Sequence, residues 1–366
     1  MRATDSTVYC DVPEMNLIPI GTNCYFNALS SALEYLDQFD YVLTLTTYDF
    51  LYKDSTSFSS LSIESDITKY ISKSNPLIFD IRPHSIFLNT IYHLRDNMTD
   101  HTKGLDVIEL QWPEADEFEE ICQQYLERKI PLLLNVNVSL LKDEYAAIGA
   151  HLPRGSESIH LVNLFKIYGK VGWIVDTQFR ANGFISLEAL KRAVYAVKSP
   201  CIYAVELKQP IPSTETLLKR HVQNSLKDKT IDGNIYKVSD TMTRFTGDIE
   251  EILCMLDQRY DIYAHAVFSY LLNAHRLERR GCGVLYRKIA VKCQSKAWDI
   301  IAKNAEDSGR LWYLLDEQVD KSFLHGRRIT STIDIARKIC KKIEEADSQV
   351  YEQMKAWYIT HGGENL

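Results

Sequence analysis

Three residues of the types that make a thiol nucleophile occur in the order Cys24, His160, Asp176. Cys24 lies in "GTNCYFNALSSALEYL", where a polar turn gives way to Ala28, Leu29, Ala32, Leu33 and Leu36 at helical spacing. That places the thiol in the first turn of a helix, with Thr22 or Asn23 as its N-cap. The unpaired N–H groups and positive macrodipole end of a helix stabilise a thiolate, the form of cysteine that attacks a carbonyl. Such a nucleophile needs a base, and the base needs a group that fixes its tautomer. His160 opens the apolar stretch "HLVNLFKIY" and Asp176 closes "GWIVD", with glycines flanking Lys170 and Val171 between them. In an antiparallel hairpin, a reversal centred on Tyr168 sets His160 and Asp176 face to face. A reversal centred on Gly169–Lys170 needs a bulge to bring them into register.

Taken singly, each residue has a commoner use. A cysteine near a helix start packs, a strand histidine is satisfied in the core, and an aspartate ending a strand caps a turn. Their order within one mixed segment sets them apart. Eight cysteines, at 10, 24, 122, 201, 254, 282, 293 and 340, form no CxxC or CxxxH pair. That spacing suits neither a disulfide scaffold nor a zinc site, and it fits a reducing, cytoplasmic setting.

The elements that must position these residues change in kind along the 366 residues, a length that favours two domains. Residues 1–207 mix helix and strand. "NPLIFDI" and "IPLLLNVNVSLL" read as buried strands, "IHLVNLFKIYGKVGWIVDTQF" as a hairpin, and "CIYAVEL" as a last strand. "SLEALKRAVYAV" is a helix with Ser186 at its N-cap. "KQPIPS", 208–213, is a proline-rich linker. Residues 214–366 read as all-α, with helical period over 248–280, 283–306 and 309–318 and a short polar stretch around "TIDGNIYKVSDT". The glycines of "GCG", 281–283, predict a helix break with Cys282 packed in it.

Several functions are excluded as expectations. A net charge of −7 disfavours nucleic acid and anionic membranes as partners. No run reaches the roughly eighteen apolar residues of a spanning helix, and "MRATDSTVYCDVPEMN" lacks the layout of a signal peptide. There is no GxGxxG, P-loop or HExxH, so no metal or nucleotide site is expected.

"NCYFNALSSALEYL", "PLLLNVNVSLL", "IHLVNLFKIYGKVGWIVDTQ" and "ISLEALKRAV", followed by "FTGDIEEI" and "ERRGCGVLYRKIAVKCQSKAWDIIAKNAEDSGRLWYLL", resemble in matching order the butirosin-biosynthesis BtrH family. The resemblance implies an α+β, papain-like cysteine-enzyme domain with a mixed or antiparallel sheet and an N-terminal nucleophile helix, followed by an all-α domain. It also implies acyl transfer in natural-product biosynthesis, from a phosphopantetheine thioester on an acyl or peptidyl carrier protein to an amine. Carried over, Cys24 is the nucleophile, His160 the base and Asp176 the orienter. "NLIPIGTNC" has no glutamine to complete an oxyanion hole, and Asn23 is the polar residue nearest that role.

Two other readings stand beside it. The same triad serves a peptidase, amidase or thioesterase, the difference being water exclusion. The chain also reads as a non-catalytic partner in a biosynthetic assembly, docking through its helices. A carrier partner, being acidic, predicts a basic patch, with "HRLERR" (275–280) and "HGRRITS" (325–331) as candidates. Asn135 and Asn137 either face a site or end a strand, and His151 is a surface or pocket-rim residue.

Overall fold

The computed structural model describes residue 15 and residues 24–44, 46–50, 105–110, 114–152, 159–197, 202–207, 212–231, 234–259, 262–325 and 328–363. The strand expected at 75–81, the N-cap candidates Thr22 and Asn23, and most of the 208–213 linker lie outside them. The chain divides into two units. Among the described residues, one holds Met15, 27–39 and 106–206, and the other holds 24–26, 40–50, Leu105 and 207–363.

The first unit is built on six strands: β1 (Leu105–Glu109), β2 (Leu132–Asn137), β3 (Ile159–Tyr168), β4 (Val171–Asp176), β5 (Ala181–Ser186) and β6 (Ile202–Leu207). They are ordered β1-β6-β2-β3-β4-β5, with β2 antiparallel to both β3 and β6 and a β3–β4–β5 meander. The helices of this part are α1 (Cys24–Tyr35), α2 (Phe118–Glu127), α3 (Lys142–Ala147) and α4 (Leu187–Tyr195). The fold is therefore α+β with an antiparallel sheet. Ser186 caps α4 as expected, its Oγ accepting from the Ala189 N–H at 3.3 Å. β1 and β5 are not among the strands expected, and α2, whose Phe118, Ile121, Cys122, Tyr125 and Leu126 lie at helical spacing, is not among the helices expected.

Alternation assigns the two faces of this sheet. Leu132, Leu134 and Val136 of β2, Val162 and Leu164 of β3, and Ile174 of β4 point to one face. There they pack with Phe118 and Cys122 of α2 and Leu190 and Val194 of α4, all fully buried. Each such aliphatic side chain contributes about 1.5–3 kcal/mol of transfer free energy. The other face carries Trp173, Val175 and Phe165. Tyr35, the last residue of α1, stacks on Phe165 with ring centroids 4.5 Å apart.

The second unit contains α5 (Thr214–Leu226), α6 (Val238–Arg259), α7 (Ile262–Cys293), α8 (Lys296–Leu324) and α9 (Ile333–Thr360). Two expectations need correction here. The half is not purely helical, because β7 (Lys229–Ile231) pairs with β8 (Asn234–Tyr236) across Asp232-Gly233, a dipeptide that favours tight reversals. Nor does the helix break at "GCG", since α7 runs straight through it. A Cβ on Gly283 would lie 2.5 Å from Cγ of Glu306 on α8, and one on Gly309 of α8 would lie 3.0 Å from the Arg280 nitrogen. These glycines let two helices approach closely, which outweighs their poor helix propensity of about 1 kcal/mol each. The chain turns instead at Gln294, where φ is +49°, and Ser295 caps α8 by accepting from the Trp298 N–H.

Residues 40–50 belong to this helical unit. Phe50 is buried with Phe245, Ile249, Trp312 and Ile343. Tyr48 donates to Asp347 Oδ1 at 2.6 Å, and Arg279 reaches Asp347 Oδ2 through Nε and Nη2 at 3.3 and 3.0 Å. The same guanidinium lies 3.9 Å above the Tyr48 ring and donates to the Asp49 carbonyl at 2.9 Å. Within "HRLERR", His275 and Arg279 are thus buried, Arg276 is half-buried and Arg280 is exposed. Among the described residues no helix is long and apolar enough to cross a membrane.

Candidate active site

β3 and β4 bring His160 and Asp176 together through a register shift. Their two-residue turn is Gly169–Lys170, with Gly169 at φ +56°, so Tyr168 pairs with Val171 and Lys166 with Trp173. That register alone sends the two side chains to opposite faces. Between Lys166 and Leu164 it slips by one, leaving Phe165 as the extra residue of a β-bulge, and Leu164 pairs with Ile174. Asp176 then falls beside Val162, diagonal to His160 and on the same face. Of the two reversals open to the sequence, the chain takes the one that requires a bulge.

The result is a buried pair. His160 Nε2 lies 2.9 Å from Asp176 Oδ2, with side-chain exposures of 4% and 2%. Asp176 divides its two oxygens. Oδ1 accepts from the backbone N–H groups of Gln178 and Phe179 at 3.0 and 3.3 Å, holding the turn after β4. Oδ2 faces His160 and accepts from the Tyr145 hydroxyl at 2.9 Å. Asp176 thus caps its turn with one oxygen and faces His160 and Tyr145 with the other.

Tyr145 and Phe179 are the participants the sequence did not reveal. Tyr145 projects from α3. Burial pushes its hydroxyl well above the ordinary tyrosine range and the Asp176 charge adds to this, so it stays a donor. Phe179 lays its ring 4.9 Å from that of His160. A tyrosine in "KDEYAAIG" carries no local mark of such a role. The Asp-Thr-Gln-Phe turn did carry one, because an aspartate ending a strand so often accepts from the next amides.

Cys24 is the first residue of α1 and is half-buried. No acidic side chain stands in the first turn of α1, so nothing there competes with a thiolate for the helix's positive end. Burial instead pushes the Cys122 thiol up to about 12 and the Cys282 thiol up to about 11, and raises Cys340 as well. Cys282 is packed, as expected, though inside a helix. The six described cysteines carry free thiols.

His160 and Asp176 belong to the sheet face covered by α2, α3 and α4, and Tyr35 of α1 to the other. Cys24 falls in the other unit from His160 and Asp176. Asn23 lies outside the described residues. Asn137 ends its strand and caps the next turn, accepting from the Ser139 N–H at 3.2 Å, and Asn135 sits opposite Leu161 on the face away from His160. His151 is exposed. Among the described residues no three His, Cys, Asp or Glu side chains are grouped to hold a metal.

No family model matches this chain, and no curated protein matches it.

Proposed function

We propose that this chain is a papain-like, cysteine-dependent acyltransferase of natural-product assembly, with Cys24 as nucleophile, His160 as base and Asp176 as orienter. The observation that carries the reading is the buried His160–Asp176 contact at 2.9 Å, brought onto one face by the bulge at Phe165. A carboxylate held by two amides and a phenol faces the imidazole at Nε2, and the reading assigns proton exchange with the thiol to Nδ1.

The steps balance without a cofactor bound to this chain. Nδ1 takes the Cys24 proton, and the sulfur adds to the carbonyl carbon of a thioester carried on the phosphopantetheine arm of an acyl or peptidyl carrier protein. The tetrahedral adduct expels the carrier thiolate, which takes the proton back from His160. An amine then attacks the acyl-cysteine, gives its proton to His160, and leaves as an amide while Cys24 departs as the thiol. The Cys24 N–H serves the oxyanion, with Asn23 as the second donor. Phe179 against the imidazole favours transfer over hydrolysis by limiting water at the base.

The test uses an acyl N-acetylcysteamine thioester followed by intact mass. The reading predicts one acyl group on Cys24, discharged faster by an added amine than by water. Discharge by water alone makes the chain a hydrolase. Absence of an adduct, with no effect of Cys24→Ala on product formation in the producing cell, leaves a binding partner and ends the enzymatic reading.

A further inference from the structure

A cleft of about 690 Å³ opens in the sheet unit where α1, α2 and the end of β3 meet, within the range of roughly 300–1,000 Å³ common for small-ligand sites. Tyr35 and Asp37 reach it from the end of α1, Glu127 and Lys129 from the end of α2, and Lys166 and Tyr168 from β3. Ile167 also lines it, and roughly 20 Å of strand separate that residue from His160, so the cleft is a second place in the unit.

Three features set the cleft apart from a surface hollow. First, the sheet is open here. β2 starts at Leu132, opposite Leu164, and among the described residues Lys166, Ile167 and Tyr168 pair with β4 alone. Successive residues of an antiparallel strand turn their N–H and C=O groups to alternate sides, so this stretch offers backbone donors and acceptors on its free side. Second, α1 and α2 each end in a Schellman motif whose left-handed residue is charged, where glycine is usual. The Gln38 N–H donates to the Leu33 carbonyl at 2.8 Å around Asp37, φ +57°, and the Ile130 N–H to the Tyr125 carbonyl at 3.1 Å around Lys129, φ +62°. Among the described residues Arg180 and Gln294 are the other non-glycine residues with positive φ, so half of such positions line this one cleft, one of each sign. Backbone of this kind is held at a cost and gathers at functional sites. Third, the charges stay apart. Asp37, Glu127, Lys129 and Lys166 are exposed, and among the described residues none of them is in an ion pair.

We infer that the cleft binds a short peptide with free termini, laid as an added strand along 166–168. Its amino group meets Asp37 and Glu127, and its carboxylate meets Lys129 and Lys166. An apolar side chain lies against the rings of Tyr35 and Tyr168, whose other contacts are Phe165 at 4.5 Å and Phe184 at 5.6 Å. A ligand of one sign leaves two like charges facing it, whereas a zwitterion uses all four. An extended backbone is the shape that an open strand edge accepts. The inference stands apart from the acyl-transfer reading.

Equilibrium dialysis of the full chain against radiolabelled alanyl-phenylalanyl-alanine tests it. Saturable binding is expected, and acetylating the amine, amidating the carboxylate or methylating the central amide nitrogen should each weaken it by roughly fivefold or more. Asp37→Gly and Lys129→Gly should weaken it as much while the melting midpoint holds or rises, because glycine relieves the left-handed backbone. Lys166→Gln, which leaves the backbone alone, should weaken binding at an unchanged midpoint. No saturable binding at millimolar peptide, equal binding of the blocked peptides, or variants that bind as wild type does overturns the assignment. So does a lower midpoint in both glycine variants, which makes Asp37 and Lys129 structural.

Discussion

Each unit buries a charged cluster among its described residues, and these two are built to different ends. In the helical unit, Arg279 and Asp347 are closed on every side: the guanidinium has a carboxylate, a carbonyl and a tyrosine face, and the carboxylate has Tyr48 on its other oxygen. In the sheet unit, Asp176 spends one oxygen on its own turn and the other on Tyr145 and an imidazole. The first cluster ties residues 40–50 to α7 and α9. The second aims a proton-accepting ring at the end of a sheet. A buried ion pair is thus no sign of chemistry in itself. What separates the two is that the second includes an imidazole, a side chain able to take up and release a proton.

That contrast is sharpest under substitution. Arg279→Met leaves Asp347 buried without its cation and is expected to cost about 3–5 kcal/mol, read by urea denaturation. Adding Asp347→Leu should recover most of the loss, because an apolar pair replaces a buried charge. If the single variant unfolds no more readily than wild type, the closed cluster is not what secures residues 40–50. His160→Ala should do the reverse. It removes about 10²–10⁴-fold of acyl-enzyme formation, the usual scale for a general base, with little change in the unfolding midpoint. A variant that melts early yet keeps its acylation rate would put His160 in the same class as Arg279.

Tyr145→Phe lies between these extremes. It removes one hydrogen bond to a buried carboxylate, expected to cost roughly 1.5–3 kcal/mol, while Asp176 keeps two amides and His160. Calorimetry should show lower stability, and acylation should fall far less than in His160→Ala. Equal losses in the two variants would make the phenol a direct participant.

The smallest effect expected is in pH dependence. His265 of α7 stacks on Phe323 at 3.9 Å and lies 3.2 Å from Asp320. Burial holds its pKa below 6.5, outweighing the opposing pull of Asp320. The unfolded chain therefore takes up this proton first, and the residue's contribution, complete above pH 6.5, is lost as pH falls toward the folded value. His265→Phe should flatten the stability profile on the acid side of that point. A profile unchanged by the substitution would mean that the stack does not resist protonation.

How much of this was legible depended on how local the cause was. The β3–β4 hairpin and α4 with its Ser186 cap follow from alternation, a capping residue and two glycines within one stretch. The bulge at Phe165 was foreseen only as one of two cases, because choosing between turn centres needs the packing of Phe165 against Tyr35 and Trp173. Gly281 and Gly283 looked like a break because helix propensity is a local property, whereas Glu306, the neighbour that makes Gly283 useful, is on another helix. Tyr145, 31 residues before the carboxylate it serves, left no mark at all.

The central claim is that one thiol is activated by one imidazole. Site-resolved alkylation by iodoacetamide near neutral pH, in wild type and His160→Ala, tests it most directly. The account predicts that Cys24 is modified before Cys254 and the exposed Cys293, and that the substitution slows Cys24 roughly tenfold or more while sparing the others. Cys24 reacting last, or at the same rate with and without the imidazole, contradicts it.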